Sequence, residues 1–226
     1  MFYKKMSMSL IRIDRNEIEK MDKIQRLHLI NSCTGFKSAN LIGTISNSGQ
    51  SNVAIFSSVT HLGSDPALIG FIIRPSFTPR NTYVNLKEYG YFSVNHVYAD
   101  IIAGAHQSSA NYTSDESEFD QTHLEAVYHG GCPVPFVKGS PVKLLCKYLN
   151  EYLIEENGCM HIIASIEAIF YEEELIDEEM HLHLEKGKVV TIAGIKGYLQ
   201  PILLKEFTRA TIPPQADITS PLPQIP

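Results

Sequence analysis

The rhythm of apolar positions changes near residue 39. Before it, Ile18, Met21, Ile24 and Leu27 recur every third position and form one apolar stripe on a helix. Asp14 stands as its N-cap, Glu17 completes a D-x-x-E capping box, and Gly35 is a stop. Beyond residue 39 the pattern is that of strands. Ala39 to Ser46 and Asn52 to Ser58 read as a hairpin around Asn47-Ser48-Gly49-Gln50. Gly63-Ser64-Asp65-Pro66 reads as a second turn, and Ala67 to Ile73 as a nearly all-apolar strand buried on both faces. A short helix fits Asn81 to Glu88, stopped by Gly90, with a strand from Tyr91 to Val97 after it. Asp100 reads as the cap of a helix running to about Ser108. Val142 to Ile154 and Met160 to Phe170 are long strands around Glu155-Glu156-Asn157-Gly158, and Val189 to Ile195 is a final strand. Many strands joined by short turns, with few helices between them, predict a mainly β fold with peripheral helices, a barrel rather than a doubly wound parallel sheet.

Three regions follow from this pattern. Residues 1–38 form an N-terminal arm and helix, and residues 39–210 form the barrel domain. Residues 211–226 hold five prolines in 16 positions, which removes backbone donors and favours an extended tail.

Composition narrows the function. Apolar residues at 44% and charged residues at 19% exclude a disordered chain. The net charge of −6 speaks against nucleic acid and against basic anchoring to a membrane surface. Cys33, Cys132, Cys146 and Cys159 form no C-x-x-C pair, so they read as inert buried thiols. Met6 to Leu10 is too short and polar for a secretory h-region, and the longest apolar run, Ala67 to Ile73, falls far below the ~20 residues of a membrane span. A reducing cytoplasm is the expected compartment.

The densest chemistry lies between residues 52 and 82. A strand ends in Ser57, Ser58 and Thr60, with Gly63 and Ser64 just beyond. Hydroxyls and exposed N–H groups at a strand end can cradle a phosphate. Arg74 and Arg80 follow and could bind its oxygens bidentately, and Thr82 opens the short helix, where N–H groups favour an anion. The competing reading is a polar strand-to-turn junction with solvated arginines.

Longer matches resolve this choice. Leu41-Ile-Gly-Thr44, N-V-A-I-F-S-S-V-T-H-L-G-S-D-P at 52–66 and G-F-I-I-R-P at 70–75 resemble the flavin reductase family, whose members have the FMN-binding split-barrel fold. P-R-N-T-Y-V-N-L at 79–86, Y-F-S-V-N-H at 91–96, A-H-Q-S-S-A-N-Y at 105–112 and S-E-F-D at 117–120 continue the resemblance in order, over roughly residues 24–210. It implies FMN at the rim of a six-stranded barrel near a homodimer interface, with FAD as an alternative flavin. It also implies hydride transfer from NADH or NADPH, or else a non-enzymatic FMN electron carrier fed by a protein partner. By position, Ser57 and Ser58 would bind the phosphate, helped by Arg80 and Thr82. Asn52, Ala54 and Phe56 would lie along the ribityl chain or ring, with Thr60 and Arg74 as further contacts.

His161 completes the set as the candidate catalytic-site histidine. The family has G-D-H before this apolar strand, and here Cys-Met stands in place of Gly-Asp. Its implied role is to position the rings, because the cofactor supplies the reactivity. His96 and His106 also fall in matching segments and either approach the flavin or pack in the core. His181 and His183 share one face of a strand, but no third ligand has motif spacing, so they read as surface histidines and no metal is expected. Glu172 to Glu179, with six acids in eight positions, reads as a solvated loop.

Overall fold

A computed structural model describes residues 10–75, 81–110, 112–113 and 116–207. Two short helices open the chain, α1 (Arg15–Lys20) and α2 (Lys23–Cys33). Strands β1 (Lys37–Ser38), β2 (Asn40–Ile45), β3 (Ser51–Phe56), β4 (Thr60–Ser64) and β5 (Ala67–Ile73) follow. Helix α3 (Asn81–Tyr89) leads to β6 (Tyr91–His96), then to α4 (Ile102–Gln107) and α5 (Glu118–Gln121). Short β7 (Ala126–Val127) and β8 (Phe136–Val137) precede the long hairpin of β9 (Val142–Ile154) and β10 (Cys159–Tyr171). The chain closes with β11 (Thr191–Ala193) and β12 (Gly197–Leu199). The expected mainly β architecture with peripheral helices is present, and no described helix is long and apolar enough to cross a membrane.

Seven strands form one antiparallel sheet in the order β3-β2-β6-β9-β10-β5-β4. Its two edges, β3 and β4, are consecutive in the chain and separated only by residues 57–59. Laid flat, seven strands would put those edges roughly 29 Å apart. The link from residue 56 to residue 60 spans at most about 14 Å. The sheet therefore has to roll up, and residues 57–59 lie on the seam where its edges approach. Two bonds hold the seam: Ser38 Oγ donates to the Val59 carbonyl at 2.9 Å, and the Ile72 N–H donates to Ser58 Oγ at 3.0 Å.

The alternation along β2 serves two cores. Ile42 faces the barrel interior with Phe71, Leu86, Phe92 and Ile162. There Phe71 meets Phe56 and Phe92 edge-on at centroid distances of 5.3 and 5.6 Å. Leu41 faces outward with Val53, Val97, Phe119 and Ile192, under α4, α5 and the small β1-β11-β12 sheet. A one-residue slip of β2 would exchange the two sets, so burial on both faces fixes its register.

Several boundaries differ from the sequence reading. The single N-terminal helix is two: Met21 is extended (ψ 148°), and Asp22 starts again by accepting from the Ile24 and Gln25 N–H groups. The Asp14–Glu17 capping box forms as read, but Ile24, Leu27 and Ile30 stay at least 36% exposed. Residues 63 and 64 belong to β4 rather than to a turn, so the sheet has seven strands where the resemblance implies six. As an edge strand β4 covers β5 incompletely: Ile69, Phe71 and Ile73 are buried inside, while Ala67 is exposed. Asp100 lies within a 3-10 turn, Ala99–Ile101, and makes no cap bond to α4. The strand read at Val189 to Ile195 is only Thr191–Ala193, and it joins the small sheet together with β12, which the sequence reading lacks. Among the cysteines, Cys146 and Cys159 are buried as expected, whereas Cys33 is exposed and Cys132 half-exposed. The proline-rich tail lies outside the described residues.

Candidate functional site

The seam gathers one group of candidate residues. Ser57 and Ser58 follow directly on β3, both half-buried, and Thr60, exposed, starts β4. Ser58 takes the place of a strand residue, because its hydroxyl, not its backbone, completes the edge of β5 at Ile72. Ile72 pairs in turn with His161 of β10. Ser58, Ile72 and His161 therefore form one row across the sheet, with Ser58 and His161 about 10 Å apart. Arg74, two residues past Ile72, is exposed beyond the end of β5.

His161 is seated by a glycine. A Cβ on Gly70 would stand 2.6 Å from His161 Nε2 and 2.9 Å from Leu62 Cδ1. The missing side chain thus makes the room the imidazole uses. Beside this group, Asn40 opens β2, pairs with Phe56 on one side and His96 on the other, and is 1% exposed. Among the described residues neither its Oδ1 nor its Nδ2 has a hydrogen-bond partner. An orphaned buried amide costs about 1–3 kcal/mol, so this end of the barrel holds an unused donor and acceptor. Desolvation of the neighbouring His96 ring holds its pKa down to about 4.

A second group sits at the other end of β3. The Asn52 side chain is 3% exposed. Oriented to satisfy its neighbours, its amide donates to Glu118 Oε2 and Oε1 at 2.8 and 3.1 Å, and its oxygen accepts from Thr82 Oγ1 at 3.2 Å. Asn85 donates to Thr44 Oγ1 at 3.0 Å. These bonds hold α3 over the barrel end, and burial raises the Glu118 carboxyl above its ordinary range. A cleft of about 450 Å³ opens here between Gln50, Asn52, Asn81 and Asn85, with Glu88 and Glu116 on its wall. Two carboxylates make it a poor phosphate site.

Sequence reasoning placed Ser57, Ser58, Arg80 and Thr82 around one phosphate. In the structure Thr82 bonds to Asn52, and the five steps from Asn52 to Ser57 measure about 17 Å of strand. Arg80 lies outside the described residues. Ala54 pairs with Ile42 between the two groups, and Phe56 leads from them to the seam. Three residues the sequence reading passed over belong to the site's construction: Gly70, Asn40 and Glu118. Only Asn40 carried a visible signal, as the one polar residue in Ala39-Asn-Leu-Ile42.

Comparison with known proteins gives a consistent picture. Residues 35–192 match the model of the flavin reductase like domain. A candidate flavin reductase with a split barrel domain from Shewanella frigidimarina is 36% identical, with a TM-score of 0.85 over 88% of this chain and 100% of that one. The Bacillus subtilis protein YwrF is 29% identical over 169 residues, 74% of this chain and 77% of its own length. An FMN-binding protein from Thermus thermophilus, at 19% identity, shares the fold with a TM-score of 0.63 over 78% of this chain and 92% of that one.

Proposed function

The chain belongs to the flavin reductase like family, and on that premise we propose that it binds FMN at the seam and is an NAD(P)H-dependent flavin oxidoreductase. FMN, held there by Ser57, Ser58 and Thr60 with Arg74, would supply the redox chemistry between NADH or NADPH and an electron acceptor. The observation that carries the reading is the Ser58–Ile72–His161 row, which lies inside the segment matched by the family model.

The residues at the seam have the chemistry that a flavin nucleotide requires. Ser57, Ser58 and Thr60 offer hydroxyl donors, and exposed Arg74 offers a planar cation for phosphate oxygens. Ala54 and Phe56 provide an apolar strand edge, and the Asn40 amide, unpaired among the described residues, provides both a donor and an acceptor. His161, held over Gly70, serves to orient the reacting rings; hydride transfer requires no protein acid or base. Asn52 and Thr82 act at a distance by fixing α3 to the sheet.

The test is direct. Purified protein is examined for a flavin spectrum, loaded with FMN if colourless, and mixed with NADH or NADPH in a stopped-flow instrument. Uptake of FMN followed by bleaching with either donor supports the reading. A protein that takes up no FMN overturns it, and FMN that stays oxidised with both donors reduces it to an electron carrier.

We propose in addition that the protein is a two-fold homodimer. Tyr152, the cross-strand partner of His161, is 58% exposed, and Leu153 beside it is 57% exposed. Exposed apolar side chains on the strand beside His161 suit cover by a second subunit. Light scattering on the loaded protein decides: a mass near 25.3 kDa eliminates the dimer, and twice that supports it.

A further inference from the structure

The acidic loop after β10 is more ordered than its composition suggests. Asp177 Oδ1 accepts from the N–H groups of Glu179 and His181, both at 2.9 Å. The His183 N–H donates to the Leu175 carbonyl at 2.7 Å, and Ile176 bridges to Leu182. Met180 takes a left-handed φ of 63°, which turns the chain back on itself. This local ring of bonds sets the two imidazoles against each other, with His181 and His183 centroids 5.0 Å apart.

A third group arrives from far along the sequence. One ring nitrogen of His181, one of His183 and a carboxylate oxygen of Glu206 lie within 4.8 Å of one another. We propose that these three residues bind a zinc-class divalent ion, which fastens the C-terminal segment to the acidic loop. Two imidazoles and a carboxylate are a donor set for zinc and its first-row neighbours, not for calcium or magnesium, which take oxygen.

The surroundings supply the outer support such sites use. His183 Nε2 faces Asp177 Oδ2 at 3.0 Å, and its Nδ1 faces Glu185 Oε1 at 3.3 Å. Whichever nitrogen takes the metal, the other has a carboxylate to accept its proton and fix the ring. The side chain of His183 is only 12% exposed, whereas His181 and Glu206 are exposed, so an ion can enter from solvent.

The site also has a mechanical meaning. Residues 200–207 have no regular secondary structure and expose Ile202, Leu203, Leu204 and Phe207. An ion bridging Glu206 to the loop would hold this apolar segment in one place.

The experiment uses full-length, untagged, chelator-stripped protein and zinc alone, in competition with a chromophoric chelator. One zinc per chain is expected, with affinity falling about tenfold or more in His181→Ala and in Glu206→Gln, as loss of a ligand requires. Both positions are exposed, so neither change threatens folding. Zinc should also slow tryptic cleavage after Lys205 in the wild type and not in Glu206→Gln. Zinc affinity unchanged by both substitutions, displacement of zinc by equimolar calcium, or cleavage after Lys205 that zinc does not slow would each overturn the proposal.

Discussion

Gly70 and His161 occupy neighbouring strands in such a way that the histidine ring fills the space a side chain on residue 70 would need. A Cβ there would meet Nε2 at 2.6 Å, Leu62 Cδ1 at 2.9 Å and the Ile162 carbonyl at 3.1 Å. Backbone on one side leaves the ring, the closer of the two side chains, and Leu62 as the groups that must move. Gly70→Ala should therefore displace His161 and cost about 1–3 kcal/mol of stability through overpacking. Flavin reduction by the preferred nicotinamide should slow by roughly tenfold. His161→Ala should slow it similarly, and the double variant should be no slower than either one. Additive losses in the double variant would show that Gly70 acts through some other contact.

Ser57 and Ser58 should separate in their effects. The Ser57 hydroxyl makes no bond to the protein among the described residues, so Ser57→Ala should weaken FMN binding and leave apoprotein stability unchanged. A lost hydrogen bond to a charged phosphate is worth about 1.5–3 kcal/mol, or tenfold and more in affinity. Ser58→Ala removes the acceptor of the Ile72 N–H as well. It should lower the unfolding free energy of the apoprotein by about 1–3 kcal/mol. Titration calorimetry and urea unfolding on the two variants distinguish these patterns.

Asn40→Leu should move stability and binding in opposite directions. Both amide atoms are buried without partners among the described residues, so an apolar side chain of similar volume should make the apoprotein more stable, by about 1–3 kcal/mol. The same change should reduce FMN affinity. Lower stability in the apoprotein would mean that the amide has partners within the protein itself.

Acid should weaken the fold through His96. Desolvation puts its folded pKa at about 4, below the 6.5 of a free imidazole. Between those values the unfolded chain binds the extra proton, so stability rises with pH across the window. The contribution is complete above pH 6.5 and lost progressively as pH falls toward 4. At about 1.4 kcal/mol per pKa unit, the loss is on the order of 3 kcal/mol. Urea midpoints measured from pH 7 down to pH 4 should show this slope, flattened in His96→Gln.

Much of the fold was legible because its strands announce themselves. β9 keeps the read bounds, 142 to 154, and β5 keeps 67 to 73, since their apolar-rich runs are bounded by turn residues. The capping box at Asp14 and Glu17 was equally plain. What failed to show was whatever depended on a partner remote in sequence. Met21 breaks the first helix because Asp22 offers a rival cap, which the three-residue apolar stripe conceals. Residues 63 and 64 read as a turn until β5 is there to pair with them. Of the site, Ser57, Ser58 and His161 were readable from their motifs. Gly70 was not, because its meaning lies in a histidine on another strand. That Thr82 bonds to Asn52, at the far end of β3, was not legible either, because it depends on where the helix that carries it docks. Glu206 joins His181 and His183 only through the path of the C-terminal segment.

The link at residues 57–59 works as a tether of fixed length, apart from anything its side chains do. Its slack is what decides whether the sheet stays rolled. An insertion of about five residues would let the tether reach across a flat sheet, while leaving every strand pairing untouched. The hairpin at 155–158 has no such duty and should accept the same insertion with little consequence. Two demands thus fall on the same three positions, one on how many residues there are and one on what they carry, and only the second is visible in the letters.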